Sequence, residues 1–190
     1  MTQVRDLLVE IGDMVLLTGR TVSSALHGPY TYGGEFVAQF LFALRVCWFP
    51  LLISTICISY AVPGMEAANF LSLFGALDRI GGLFVLAAVR ELGPLVTAMV
   101  VAGAAGTAIT ADLGSRKVRE ELDALQVLGV DTVKNLVVPR FLALMLATGL
   151  FNAYAILFGI FGGLLAELIN GQPLGPFWVT LFANADTTDM

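Results

Sequence analysis

Three long segments without a charged residue dominate the pattern of hydrophobic and polar positions along the chain. They cover residues 46–65, 92–111 and 141–166. Each contains at least 20 residues, which is enough for an α-helix to cross about 30 Å of hydrocarbon. We predict three complete spans near residues 46–65, 82–111 and 141–167. The pattern therefore predicts an all-α integral membrane protein.

The first residues of the chain follow a different, amphipathic pattern. Apolar side chains recur at helical spacing, with acidic residues on the opposite face. The apolar positions are Val4, Leu7, Leu8, Ile11 and Val15. This pattern predicts a helix that lies on the membrane surface, and the alternative is a helix that packs against its own protein. We treat residues 1–34 as this interfacial helix and its linker, and residues 35–190 as the membrane region of a single domain.

The first predicted span has two irregular features near its ends. Pro50 lies near its start and Pro63 near its end, and an interior proline frees a backbone carbonyl, so we expect a kink. Residues 67–77 are apolar but too few to cross a bilayer. We expect this short segment to re-enter the membrane or to lie along it.

Composition supports a membrane environment and excludes several kinds of site. Apolar residues make up 57% of the chain and charged residues 13%, against about 45–50% and about 25% in soluble domains. A net charge of −5 argues against nucleic-acid binding. The single histidine, His27, excludes a histidine-rich metal site, and we predict no catalytic residues and no metal. The sequence contains no phosphate-binding P-loop motif, so this chain does not bind ATP by that route.

Basic residues predict the orientation in the membrane, because Lys and Arg stay on the cytoplasmic side. Residues 112–140 contain five of them, whereas residues 66–79 contain only Arg79 and residues 167–190 contain none. The five are Arg116, Lys117, Arg119, Lys134 and Arg140. We therefore place residues 112–140 in the cytoplasm of a multi-pass protein, and residues 66–79 and 167–190 outside.

The polar segment between the second and third spans resembles a docking element. Leu122, Leu125 and Leu128 share one helical stripe, acidic residues group beside it, and Gly129 is placed to end the helix. A short helix of this kind is typical of a surface that binds a soluble partner. The alternative is a solvated connecting helix that contacts its own membrane helices, and physical reasoning leaves both open.

A second candidate site combines two charged residues with an apolar wall on the first span. Arg90 and Glu91 lie where the second span begins, and charges beside hydrocarbon are costly and often functional. They could contact a lipid headgroup or a partner protein, or form a structural ion pair. The first span offers an apolar wall for a lipid tail in Leu51, Leu52 and Ile56, unless these residues simply face the bilayer or other helices.

Two groups of motifs, one that begins at Arg90 and one between the second and third spans, resemble those of a known family. Arg90-Glu-Leu-Gly-Pro94 leads into Ala102-Gly-Ala-Ala-Gly106. Glu120-Glu-Leu-Asp-Ala-Leu125 is followed by Gly129 and then by Leu136-Val-Val-Pro-Arg140. In order and spacing these motifs resemble those of the MlaE/YrbE permeases. The resemblance covers roughly residues 35–190.

The resemblance implies a lipid permease of an ABC-type transporter in the cytoplasmic membrane. ATP and Mg²⁺ are then expected on a partner ATPase, with a second permease, identical or paralogous, and MCE-domain proteins as further partners. The implied substrates are phospholipids, fatty acids, mycolic-type lipids or sterols. The implied ATPase-coupling helix comprises Glu120, Glu121, Asp123, Ala124, Leu125 and Gly129.

Three departures from the family pattern refine this expectation. Ala104 stands where many members have Arg, and Thr132 where many have Pro, and both resemble the actinobacterial YrbE branch of Mce systems. Family members continue with further membrane helices, so we expect the sequence, which ends at Asp189-Met190, to be truncated. The competing interpretation is a polytopic protein outside the ABC class, either a secondary transporter or a structural subunit.

Overall fold

A computed structural model describes residues 2–27 and 32–185, with side chains from residue 5 onward. Helices dominate, and no strand occurs in these two ranges, which confirms the all-α prediction. Six helices follow in order: α1 (Thr2–Leu26), α2 (Gly33–Ser72), α3 (Leu77–Val118), α4 (Glu121–Val127), α5 (Val133–Ile169) and α6 (Leu174–Asn184). The side chain of Val4, part of the predicted linker (residues 28–31) and the terminal Asp189-Met190 lie outside what is described.

Helices α2, α3 and α5 are each long and apolar enough to cross a membrane, as predicted. All three extend beyond the predicted spans at both ends. The charge-free criterion finds only the part of a helix that suits hydrocarbon, whereas the helix itself continues into regions where charged side chains reach water.

Residues 67–77 do not form a helix of their own, and their expected re-entry into the membrane or position along it stays a prediction. Ala67–Ser72 continues α2, and residues 73–76 make the turn into α3. Gly75 adopts the left-handed conformation (φ +65°), and the Ala76 N–H donates to the carbonyl of Leu71. A glycine at this position ends the helix without the steric cost that a side chain would bring.

Proline has different effects at its two positions in α2. The helix continues through Pro50, whereas Pro63 lies in a π-helical turn, Tyr60–Glu66. Pro63 has no N–H to donate to the preceding turn, so the ordinary hydrogen-bond pattern is interrupted there. Three further π-helical turns occur in the long helices, at Val85–Leu92, Val101–Gly106 and Val133–Val137.

The chain divides into two compact units. Unit 1 comprises Met1–Ala43 and Ala108–Leu146, and unit 2 comprises Leu44–Thr107 and Ala147–Met190. In unit 1, α1 contacts the first turn of α5 at Val133–Val137. The predicted apolar side chains of α1 at positions 7, 8, 11 and 15 are nevertheless exposed. Contact with its own protein therefore covers only part of α1.

Unit 2 has a packed core where α6 lies against the start of α3. Phe84 and Phe177 are both fully buried, and their ring centroids are 5.5 Å apart in an edge-on arrangement. A Cβ at Gly81 would collide with the backbone carbonyl of Phe177 and lie 2.7 Å from the backbone nitrogen of Leu181. The two helix backbones therefore approach so closely that only glycine fits at Gly81.

Candidate functional site

The predicted docking element is a short helix with a left-handed residue on each side. Helix α4 runs from Glu121 to Val127. Glu120 precedes it with φ +60°, and Gly129 follows with φ +76°. The Val130 N–H donates to the carbonyl of Leu125 across this second turn, so the predicted role of Gly129 as a helix stop is confirmed. The two turns set α4 off as a separate element between α3 and α5.

The apolar side chains of α4 divide between two directions. Leu122 and Leu125 are half-buried, whereas Val127 is 89% exposed and Leu128 76% exposed. Val118, at the end of α3, is 84% exposed. The predicted stripe of three leucines is therefore split, and the side chains open to a partner are Val118, Val127 and Leu128. Leu128 follows the last residue of α4, Val127, so its side chain no longer keeps the helical spacing that the stripe requires.

Two of the acidic residues in this segment form ion pairs with the end of α3. Lys117 Nζ lies 2.7 Å from Asp123 Oδ1, and Arg119 Nε lies 2.9 Å from Glu121 Oε1. All four side chains are exposed, so each pair contributes little to stability. The pairs attach α4 only lightly to Lys117 at the end of α3 and to Arg119 just after it. Glu120 and Ala124, the remaining predicted docking residues, are exposed.

Asp131 begins α5 and was not among the predicted site residues. Its Oδ1 accepts hydrogen bonds from the backbone N–H groups of Val133 (3.0 Å) and Lys134 (3.2 Å). These N–H groups have no partner within the helix, and an aspartate just before a helix commonly supplies one. The signal was therefore present in the sequence, as an aspartate two residues before the apolar pattern resumes.

A buried arginine holds the two ends of this polar segment together. Arg140, in the first part of α5, is only 3% exposed. Its Nη2 lies 2.6 Å from Oδ2 of Asp112 in α3 and 3.8 Å from Oε1 of Glu35 in α2. The same Asp112 oxygen lies 3.2 Å from Nε of Arg116. We call Glu35, Asp112, Arg116 and Arg140 the arginine clamp.

The charges of the arginine clamp balance, with two guanidinium groups and two carboxylates. Nη1 of Arg140 also donates to the carbonyl of Leu136 at 3.0 Å, while its Nε has no hydrogen-bond partner in the described part of the chain. Removing Asp112 would leave the buried charge of Arg140 without its closest carboxylate, which is costly. The clamp joins Arg140 to Asp112, 28 residues earlier, and thus closes the segment that carries α4 into a loop.

A cleft of about 420 Å³ lies within unit 1, between α1 and this loop. Arg20 and Ser24 contribute from α1, and Gln126 and residues 130–133 contribute from the loop. Its lining is mostly polar side chains and backbone. The cleft makes α1 a neighbour of the docking element, which the sequence did not indicate.

The second candidate site is distributed over two helices. Arg90 and Glu91 are both exposed and lie in the π-helical turn Val85–Leu92, well inside α3 rather than at its start. In α2, Leu51 is fully buried, and Leu52 and Ile56 are half-buried. Thus Leu51 belongs to the packed interior of unit 2. π-helical turns within α-helices are frequent at functional sites, which draws attention to Arg90 and Glu91.

Part of the predicted apolar wall on α2 packs against α5. A Cβ at Gly162 would lie 2.6 Å from the carbonyl oxygen of Ile56, and one at Gly159 would lie 3.1 Å from Oγ of Ser59. The backbones of α2 and α5 therefore meet closely at this point. Small residues that permit such contact are typical of helix packing in membranes.

Comparison with known proteins finds a permease family and relatives that are named as permeases. The family described as Permease MlaE matches residues 36–190. The intermembrane phospholipid transport system permease protein MlaE of Haemophilus influenzae is 37% identical over 118 residues, 62% of this chain and 45% of that protein. A probable ABC transporter permease protein of Rickettsia felis is 32% identical over 155 residues, 82% of this chain and 59% of that protein.

A plant relative extends the comparison beyond bacteria. Protein TRIGALACTOSYLDIACYLGLYCEROL 1, chloroplastic, of Arabidopsis thaliana is 47% identical over 73 residues, 38% of this chain and 21% of that protein. The chain spans about half the length of the two bacterial relatives it matches. The family match nevertheless covers all three long apolar helices almost completely. The chain therefore belongs to the MlaE permease family and is a membrane protein.

Proposed function

We propose that the chain is the membrane subunit of an ABC-type transporter that moves lipids, driven by ATP hydrolysis on a partner subunit. The family match over residues 36–190 carries this proposal. One relative is named for phospholipid transport and another as an ABC transporter permease. Family membership favours this function over a secondary transporter or a purely structural subunit.

The proposed location is the cytoplasmic membrane, with residues 112–140 on the cytoplasmic side. The excess of basic residues in this segment supports the orientation. The arginine clamp and α4 then lie on the side where ATP is available. ATP and Mg²⁺ belong to the ATPase subunit, and the further partners are a second permease of this type and MCE-domain proteins.

Helix α4 is proposed to bind the ATPase. Val118, Val127 and Leu128 offer it an exposed apolar surface, and such side chains are expected to be covered in a complex. The flanking ion pairs hold α4 against α3, and the arginine clamp joins α3 to α5 and α2. A displacement of α4 by the ATPase would therefore reach all three long helices through the clamp.

Lipid contact is proposed for Arg90 and Glu91 on α3. Both side chains are exposed on a helix that is apolar enough to cross a membrane, and Glu91 directly precedes the charge-free segment 92–111. Charged groups at such a position have a high energetic cost in hydrocarbon, so they are expected to meet a headgroup or a polar partner.

Ala104 and Thr132 favour the actinobacterial Mce branch, which remains a prediction.

The substitution Leu128→Asp tests ATPase docking. Leu128 is 76% exposed, so the substitution leaves the fold of the permease unchanged but places a charge in the proposed apolar contact. We expect affinity for the ATPase to fall on the order of tenfold to a hundredfold, as for a central interface residue. Co-purification and ATP-dependent lipid movement in liposomes measure the effect.

Leu73→Asp is the matched control. Leu73 is 80% exposed and lies in unit 2, in the segment predicted to face outside. We expect it to leave ATPase binding unchanged. If the Leu128→Asp permease binds the ATPase and transports lipid at the wild-type rate, α4 is not the docking element. Leu125→Asp is less suited to this test, because Leu125 is half-buried and its substitution also disturbs the packing of α4.

A further inference from the structure

A small cavity in unit 2 contains a carboxylate that none of the proposed roles uses. The cavity measures about 170 Å³ and lies where the end of α5 meets the starts of α3 and α6. Glu167, Asp78 and Gln172 supply its polar side chains, and apolar residues including Ile80 and Phe177 supply the rest. Its volume equals that of about five to six water molecules. It can hold a small polar group, but not a lipid tail.

Glu167 is the unusual member of this cavity. It is only 3% exposed, and its Oε1 is buried without a hydrogen-bond partner in the described ranges. A buried carboxylate oxygen is normally hydrogen-bonded or ion-paired, because leaving it unpaired is costly. The second carboxylate, Asp78, is exposed and lines the same cavity. Two acidic groups thus line one cavity, and the deeper of them has an unused acceptor.

The lining of the cavity favours an organic cation over a metal ion. Calcium takes six to eight oxygen ligands and magnesium requires near-octahedral oxygen coordination. Beside its two carboxylates and one amide, the cavity is lined by isoleucine, leucine, proline and phenylalanine side chains. No group of three or more metal-ligating side chains occurs in the described part of the chain. An alkylammonium group suits this mixture, because its N–H groups donate to carboxylates while its methylenes contact apolar side chains.

The position along α5 indicates where such a cation comes from. Glu167 is the first charged residue after the charge-free segment 141–166. In a membrane helix this transition marks the level of the lipid headgroups. A phospholipid with a primary amine presents its ammonium at this level while its tails remain in hydrocarbon.

We propose that the cavity lined by Glu167 and Asp78 binds the ammonium of an aminophospholipid headgroup. Oε1 of Glu167 accepts a hydrogen bond from the ammonium, and Asp78 attracts it at the exposed side of the cavity. This inference rests on the proposed function for the presence of lipid, but the site itself is tested by binding without ATP. The site would make the permease select among phospholipids by headgroup.

The test compares two lipids that differ only in the amine. Phosphatidylethanolamine and its N-acetylated form share chains and phosphate, but only the first carries an ammonium. Each is titrated against a fluorescent lipid bound to the full-length permease complex in detergent, without ATP. We expect phosphatidylethanolamine to bind on the order of tenfold more tightly, the size of one charge-assisted hydrogen bond. Equal affinities would overturn the proposal.

Variants locate the preference within the structure. Glu167→Gln keeps the size of the side chain and removes its charge, so the preference should disappear. Glu66→Gln is the matched control, because Glu66 is an exposed acid of unit 2 outside this cavity, and it should keep the preference. Asp78→Asn, at an exposed position, should weaken the preference severalfold without affecting the fold. A preference that survives both Glu167→Gln and Asp78→Asn would place ammonium recognition elsewhere and overturn the proposal.

Two further measurements complete the test. One distinguishes a lipid from a free amine as the source of the ammonium, and the other distinguishes this proposal from the proposed transport function. Free ethanolamine should compete far more weakly than the lipid, and competition at the same concentration would overturn the assignment to lipid. ATP-dependent lipid movement by the wild-type complex is measured in parallel. An ammonium preference without any ATP-dependent movement would contradict the proposed transport function and leave the site supported. Movement without the preference would contradict only the site.

Discussion

The helices within unit 1 and the helices within unit 2 are held together by different kinds of interaction. In unit 1 the connection between helices is ionic, through Arg140 and the carboxylates of Asp112 and Glu35. In unit 2 the connection depends on the absence of side chains, because glycine lets backbones touch at Gly81 and Gly162. Ion pairs tolerate small changes in distance, whereas close packing does not. The comparison indicates that the helices of unit 1 can shift slightly against one another without losing their contacts, whereas the helices of unit 2 cannot.

The difference has a physical origin in the surroundings of each unit. Between apolar helices in lipid there is no hydrophobic driving force, so association depends on close van der Waals contact. Unit 2 has this character, with the fully buried Phe84 against Phe177 and a Cβ at Gly163 colliding with the ring of Phe84. Unit 1 contains the whole polar segment 112–140, where charged groups are available to pair. Each unit uses the interaction that its composition allows.

The largest effect is expected from Gly81→Leu. The new side chain would collide with the backbone of Phe177 and Leu181, which cannot move without displacing α6. We expect a destabilisation of at least about 3 kcal/mol. The measurement is the fraction of full-length protein that remains monodisperse after heating in detergent.

Gly114→Leu is the control on the same helix, in unit 1. A Cβ at Gly114 meets nothing within 4 Å, so we expect a change within about 1 kcal/mol. Similar losses in the two variants would mean that unit 2 is no more tightly packed than unit 1.

An intermediate effect is expected from Arg140→Met. Breaking a buried ion pair commonly costs about 3–5 kcal/mol, but Asp112 and Glu35 are 41% and 35% exposed and regain hydration. We therefore expect a loss of about 2 kcal/mol, measured by the same heating assay. Lipid-stimulated ATPase activity of the assembled complex should also fall, because the clamp joins α4 to the long helices.

Arg116→Met separates burial from charge in this prediction. Arg116 contacts the same Asp112 oxygen, but its side chain is 32% exposed. Its loss should have less than about 1 kcal/mol of effect on stability. Equal effects at Arg116 and Arg140 would show that burial of Arg140 contributes nothing.

The smallest effect is expected from Lys117→Gln, which removes the exposed ion pair with Asp123. Side chains 61% and 52% exposed are well hydrated, so we expect a change below about 0.5 kcal/mol. That change should vanish in 1 M salt, where charges are screened within about 3 Å. Thermal unfolding at low and high salt measures it, and a loss above about 2 kcal/mol would contradict the view that α4 is only lightly attached.

Local features of this fold could be predicted from the sequence. Three charge-free segments indicated three membrane helices, and Gly129 indicated the end of α4. Pro63 indicated an irregularity in α2, which is the π-helical turn Tyr60–Glu66. These features depend on residues that are close together in the chain. Asp131 belongs with them, since its cap is equally local, although it was overlooked.

Features that depend on distant residues could not be predicted. The arginine clamp joins residues from three helices, and no pattern within one segment shows that Arg140 lies against Asp112. Leu125 is half-buried, whereas Leu128, just beyond the end of α4, is 76% exposed, and the spacing of the leucines alone does not show this difference. The helix ends were misplaced for a related reason, since a charged residue such as Glu35 can sit within a helix where it finds a partner.

The contact of α6 with the start of α3 has a consequence for how the protein is made. The ribosome adds about 5–20 residues per second, and Phe177 follows Gly81 by about a hundred residues. The glycine surface of α3 is thus without its covering helix for about 5–20 s after it is synthesised. During that time the nascent chain presents an incomplete core to the insertion machinery and to membrane proteases. A polypeptide that stops before residue 174 would never complete this core, which gives the cell a structural signal for removing it.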